Sequence, residues 1–236
     1  LSLFFKAEKI YKEIIVPDDM IFYLLYIDIA DAYKWRKDDI DSAEIYYKKS
    51  LGYINKIDES KYPEVFINPY YSLASCYRIK NEFKAGIDYY NHALEYIPFV
   101  SSKKVRDGWK YNCYTAIANI YREDGQYDES INNFLLARQI KPKDPTLNNN
   151  LAVCFKELGQ KDLALFIVGV ALEESIKTDN FRQAAISNQI IGQIHFMDND
   201  FELAELFLNR GLNNVSIYTQ SPRSLLRISL YEDLAK

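Results

Sequence analysis

A chain of 236 residues, 48% apolar and 26% charged, is long enough for a substantial core and has the composition of a globular protein rather than a disordered or fibrous one. Its net charge of −4 is spread without a basic block, so the segment offers no electrostatic footprint for nucleic acid. The longest apolar run, residues 163–172, is about half of what a bilayer-spanning helix needs, which argues against a membrane segment.

Eight Gly and seven Pro are few for this length and favour long helices over tight turns, while 20 Tyr and 13 Phe supply large rings for packing. The chain opens on Leu1 rather than Met, which reads as a fragment, and no signal-peptide pattern follows. Cys76, Cys113 and Cys154 lack metal-ligand spacing and read as small buried packing residues in a reducing compartment. The expected location is the cytoplasm, and no cofactor is expected.

In chain order, residues 2–16 read as one helix with Ala7, Tyr11 and Ile14 on its packing face. A repeating pair of helices follows. The first helix of each pair carries an aromatic or Asn, two residues, an aliphatic-small pair, two residues and a ring. This is Tyr26, Ile29-Ala30, Tyr33; then Tyr70, Leu73-Ala74, Tyr77; then Tyr114, Ile117-Ala118, Tyr121. Weaker copies are Asn148, Leu151-Ala152, Phe155 and Asn188, Ile191-Gly192, His195.

The second helix has a small residue, a large one four positions on, and a small one three further: Ala43-Tyr47-Ser50, Gly86-Tyr90-Ala93, Ser130-Phe134-Ala137, Ala164-Val168-Ala171 and Ala204-Leu208-Gly211. Small residues at fixed offsets let two helices approach, and the large residues fill the holes between them. Asp144-Pro145 and Ser221-Pro222 are helix-start signals, each an N-cap residue followed by Pro. Residues 221–236 read as a further first helix, with Leu234-Ala235 as its aliphatic-small pair.

These two signatures resemble the tetratricopeptide repeat (TPR) family, whose pattern is W-x2-L-G-x2-Y, then A-x3-F, then A, then P. The resemblance covers nearly the whole chain. It implies an all-α TPR superhelix, an α-solenoid of about five hairpins with partial repeats at both ends. The expected repeats are 23–60, 67–100, 111–144, 145–178 and 185–218, with partial repeats at 1–18 and 221–236. Gaps between successive aliphatic-small pairs mostly exceed the common period of 34, which implies extended helices or connectors. One such hairpin cannot bury its apolar face alone, so neighbours must stack.

The resemblance also implies a groove along the inner face of the first helices. In this register that face shows Asn68, Tyr71, Ser75 and Arg78; then Asn112, Thr115, Asn119 and Arg122; then Thr146, Asn149, Asn150 and Lys156; then Gln189 and Gln193. An amide side chain offers both donors and an acceptor, so it can pair with a peptide backbone of any sequence. Arg78, Arg122 and Lys156 form a basic column suited to an acidic group. The alternative is a solvated polar face. In TPR proteins that clamp a chaperone tail, Lys and Asn alternate; Asn119 and Asn150 match the Asn sites, but Thr115, Ile186 and Ile190 stand at the basic ones, which argues against that ligand.

The long period and Asn-lined groove also resemble the peptide-sensing TPR regulators of Firmicutes, which carry an effector, often a helix-turn-helix, ahead of the array. Three readings follow. One is a non-catalytic scaffold holding a peptide or protein segment. A second is the sensing domain of a peptide-responsive bacterial regulator. The third is an assembly module using the outer face, where Leu163, Phe166 and Val170 form an apolar stripe that Leu136 and Leu206 extend. That stripe reads either as a homodimer interface or as core beneath the long fifth first helix.

Chemistry is not legible. His92 and His195 come from different repeats, and His195 holds a ring position in its repeat. No phosphate loop or nucleophile elbow occurs, and Asp38-Asp39 and Glu173-Glu174 read as solvated charge, so the chain is not read as an enzyme.

Overall fold

The structure is a computed structural model and describes residues 2–12, 19–36, 38–54, 62–219 and 224–235. Twelve α-helices and no strand occur among them: α1 (Ser2–Lys12), α2 (Asp19–Arg36), α3 (Ile40–Ile54), α4 (Pro63–Ile79), α5 (Phe83–Tyr96), α6 (Lys103–Glu123), α7 (Tyr127–Ile140), α8 (Pro145–Glu157), α9 (Lys161–Lys177), α10 (Phe181–Met197), α11 (Phe201–Tyr218) and α12 (Leu225–Leu234). A short 3-10 turn, Ile97–Phe99, follows α5. This is the all-α TPR solenoid class.

The chain forms two compact units, Leu1–Ile120 and Tyr121–Lys236. In the first, α2 pairs with α3 and α4 with α5, α3 packs on α4, and α1 lies against α2. In the second, α8 pairs with α9 and α10 with α11; α7 packs on α8, α9 on α10, and α12 on α10 and α11.

In these four pairs the two sequence signatures form the seams. Ile29-Ala30, Leu73-Ala74, Ile117-Ala118, Leu151-Ala152 and Ile191-Gly192 are all buried. So are the small-large-small sets of α3, α5, α7, α9 and α11. The small residues are required by distance. A Cβ on Gly192 would lie 2.8 Å from Leu208 Cγ and 3.1 Å from the Ala204 carbonyl oxygen, and one on Gly86 would lie 3.3 Å from the Ala74 carbonyl oxygen. Each turn inside a hairpin carries one left-handed residue: Asp38, Asn81, Gly125, Gly159 and Asn199, with φ between 53° and 76°. Only Gly, Asn and Asp occupy these places, the residues for which that backbone conformation costs least.

The first helices run longer than the repeat register implies. They begin at 19, 63, 103 and 181 rather than 23, 67, 111 and 185, an added turn or two that takes up part of the long period. Pro145 does open α8, and the Asp144 carboxylate accepts from the backbone N–H groups of Thr146 and Leu147. Pro69 is accommodated inside α4 and is buried. Ser221-Pro222 and Ile14 lie outside the described residues, as does the side chain of Tyr11. Ala7 packs against Phe22, Leu25, Tyr26 and Ile29. In α12 the buried residues are Leu230 and Asp233, not the pair Leu234-Ala235. Leu230 occupies the space beside Gly211, where a Cβ would come within 2.9 Å of its Cδ2, and the helix ends before Ala235. Among the described residues, no helix is long and apolar enough to cross a membrane.

Candidate functional site

In the first unit, α4 and α6 bring several of the expected inner-face residues to one place. The ring of Tyr71 stands edge-on to Tyr90, with centroids 5.1 Å apart, and to Trp109 at 5.5 Å. Beside these rings, Ser75, Arg78, Asn112, Thr115 and Asn119 line a cleft of about 200 Å³, room for one large side chain. Asn112 is exposed, and Tyr71, Arg78 and Asn119 are half-buried. Burial pushes the Tyr71 phenol above its ordinary range, with Cys113 adding to the rise and Arg78 pulling it partly back. The same desolvation raises Tyr90 strongly, so both phenols are protonated donors at neutral pH. The Thr115 hydroxyl oxygen is shielded from solvent and has no hydrogen-bond partner. A buried polar atom in that position costs about 1–3 kcal/mol until a partner reaches it. Lys34 Nζ reaches the same face from α2 and donates to Ser75 Oγ at 2.8 Å.

In the second unit the inner-face residues are used differently. Asn149 is only 2% exposed. Its Nδ2 donates to the carbonyl oxygen and Oε1 of Gln183 at 3.3 and 3.1 Å, and its Oδ1 accepts from Ser187 Oγ at 2.8 Å. Asn149 is therefore a bond between α8 and α10, not a free reader of peptide backbone. The sequence pattern put it on the groove face; Gln183 and Ser187 of the next first helix draw it into the seam. Lys156 Nζ donates to Gln193 Oε1 at 2.8 Å and lies 3.1 Å from a Glu157 carboxylate oxygen. Gln189 Nε2 donates to Ser229 Oγ and to Asp233 Oδ2, and Gln193 Nε2 donates to the same Asp233 oxygen, all at 2.7 Å. Lys156, Gln189 and Gln193 thus join α8, α10 and α12 to one another. Asn148, read as the leading residue of a weaker copy, is buried; its Oδ1 accepts from Arg138 Nε and its Nδ2 donates to the Pro142 carbonyl oxygen.

The remaining candidates stand apart from the cleft. Asn68 Oδ1 accepts from Ser72 Oγ at 3.3 Å within α4. Arg122 is half-buried, with Glu123 at 3.9 Å, and Asn150 is half-buried on α8. On the outer face of the second unit, Leu136, Leu163, Phe166 and Leu206 are exposed, and Val170 is partly so. Phe166 is 65% exposed, so α10 does not cover it. Residues that the pattern did not single out for this role include Tyr90, which serves the packing signature as well as the cleft, Tyr111, which is buried beside it, and Asp233, whose position on α12 carries no motif.

Metal chemistry has no visible seat: no group of three or more His, Cys, Asp or Glu among the described residues could hold an ion. The three cysteines are buried free thiols.

A paired-helix repeat with close small-residue seams and left-handed hairpin turns defines a class of helical repeat protein. Residues 118–159 match the family described as TPR repeat, and residues 23–56 and 67–99 match the family described as tetratricopeptide repeat. These three segments are TPR repeats by sequence. No curated protein sequence matches it.

Solved structures of similar fold include the apo form of RapI, at 14% identity and a TM-score of 0.79, over 98% of this chain and 67% of that one. MamA (residues 41 to the end) from Desulfovibrio magneticus RS-1 is 13% identical with a TM-score of 0.64, over 85% of this chain and 98% of that one. YrrB, described as a TPR protein with an unusual peptide-binding site, is 17% identical with a TM-score of 0.59, over 97% of each chain. At these identities the likeness is one of fold.

Proposed function

We propose that this chain is a non-catalytic TPR scaffold that holds an extended peptide or partner segment against the inner face of α4 and α6. The observation that carries the reading is the cleft of Tyr71, Arg78, Asn112, Thr115 and Asn119, with its shielded, unpartnered Thr115 hydroxyl. An extended segment carries unpaired N–H and C=O groups along its length. Asn112 and Asn119 supply both hydrogen-bond roles for such groups, and a ligand N–H in the cleft would satisfy Thr115. The aromatic wall takes one ligand side chain, and Arg78 favours an acidic one. The peptide-binding site named for YrrB, a protein of similar fold, supports the class of ligand.

A second reading makes the same peptide a signal and the chain the sensing part of a bacterial regulator. RapI, whose fold overlaps 98% of this chain, is described in an apo form, which supports a ligand-binding role for the fold. Calorimetry against a library of extended peptides tests the shared core. A peptide that binds wild type should bind the Asn112→Ala, Asn119→Ala double variant about 1–3 kcal/mol more weakly. Equal affinities would place binding elsewhere. A change in hydrogen exchange far from α4 and α6 on binding would favour the sensor; protection confined to the cleft would favour the scaffold.

A further inference from the structure

We infer that α9 is a self-pairing helix, and that two copies of this chain associate through its outer face about a two-fold axis between Gly169 and Val170. The outer side of α9 exposes large apolar residues between charged ends, with Leu163 48% exposed, Phe166 65% and Ile176 63%, and Glu173 exposed among them. Val170 lies on the same side and is partly exposed, and Gly169 is exposed beside it. An exposed stripe of this size is the mark of a contact surface.

The pattern of charge names the occupant. Two identical helices packed antiparallel about a two-fold axis place residues opposite one another when their numbers share one sum. With the axis between 169 and 170, Asp162 faces Lys177 of the second copy, and Lys177 faces its Asp162. In the same register Phe166 meets the aliphatic stem of Glu173 on the contact line, and Leu163 and Ile176 flank that line on opposite sides. Two opposite-charge pairs thus come from one helix, with none left mismatched in sign. Asp162 and Lys177 are both exposed, and neither forms an ion pair within the described chain.

Gly169 is the second observation. A Cβ there would meet nothing within 4 Å, so no contact inside the chain calls for glycine. Glycine is among the poorest helix formers, and its use mid-helix on an exposed face fits a place where another backbone comes close. It falls at the crossing point set by the charge pairing. Leu136 on α7 and Leu206 on α11 are exposed on the neighbouring second helices and widen the contact toward the roughly 1,000 Å² that a specific interface needs.

Sedimentation velocity across a concentration series tests this. Wild type should sediment as a dimer and Phe166→Glu as a monomer with an unchanged circular dichroism spectrum. Lys177→Asp should weaken the dimer roughly three- to tenfold, and adding Asp162→Lys should restore it, since the two-fold register exchanges those partners. Gly169→Cys should form a disulfide-linked dimer on mild oxidation, while Ile217→Cys, exposed on α11, should not; the native thiols are buried and contribute no background. A wild type that stays monomeric at its highest soluble concentration overturns the inference. So does a dimer indifferent to both the charge exchange and the Gly169 crosslink.

Discussion

His195 lies flat on Phe207, with ring centroids 5.7 Å apart and planes 8° from parallel. The same contact recurs as Tyr33 on Tyr46 at 5.5 Å and 9°, and as Tyr77 on Tyr89 at 5.1 Å and 9°. Each joins the ring position of a first helix to a ring on its second helix. His195 is thus a packing ring in the place of a tyrosine. His195→Ala should cost about 1–2 kcal/mol of stability, and His195→Phe should stay within about 1 kcal/mol of wild type, measured by urea unfolding.

Asn149 should matter to stability and Asn112 should not. Asn149→Ala leaves the Gln183 and Ser187 groups of α10 without their partner and should destabilise by about 1–3 kcal/mol. Exposed Asn112→Ala should change stability by under about 0.5 kcal/mol. Thermal melts of the two variants check the contrast.

Glu44 gives the first unit a pH dependence. Burial raises its pKa, but hydrogen bonds from Lys48, Lys80 and Tyr77 outweigh this and hold it down at about 2, against an ordinary 4.5. The folded state therefore binds this proton less readily than the unfolded chain. Its contribution is fully present above the ordinary value and is lost as the pH falls from 4.5 through about 2. The urea midpoint of wild type should fall more steeply across that window than that of Glu44→Gln, and the two should converge at its acid end.

Two glycines should respond in opposite directions. Gly192→Ala forces a Cβ against Leu208 Cγ at 2.8 Å and should destabilise by about 1–3 kcal/mol. Gly169→Ala meets open space and should raise the stability of the isolated chain by up to about 1 kcal/mol. Unfolding measured at low protein concentration separates this from association.

The helix-pair seams were legible because they obey a steric rule that sequence records directly. Ala30, Ala74, Ala118 and Ala152 are small where two helices cross, and large residues such as Tyr47 and Phe134 fill the holes beside them. The inner face was legible as a set of residue types but not as a surface. Asn149 and Asn119 look alike in the repeat register, yet the first is sealed between α8 and α10 while the second borders a cleft. The difference lies in what the next first helix presents: Gln183 and Ser187 come within reach of Asn149. No local pattern encodes that meeting, because each partner is 34 or more residues away. The early starts of α2, α4, α6 and α10 were implied only as extra length, since a repeat period does not say which end of a unit has grown.

The polar bonds between successive first helices bear on how such a chain could be recombined. Lys34 with Ser75, Asn149 with Gln183, Lys156 with Gln193 and Gln189 with Ser229 are each a different chemical couple. At each of these three seams a helix consequently recognises its own neighbour. Removing α10 and α11 as a cassette would bring α12 against α8 and confront Asn149 and Lys156 with Ser229 and Asp233, partners of another length and spacing. A seam of interchangeable aliphatic residues would accept such a splice. At these seams the order of the helices is written into side-chain couples, so a splice there leaves buried polar groups without their matched partners.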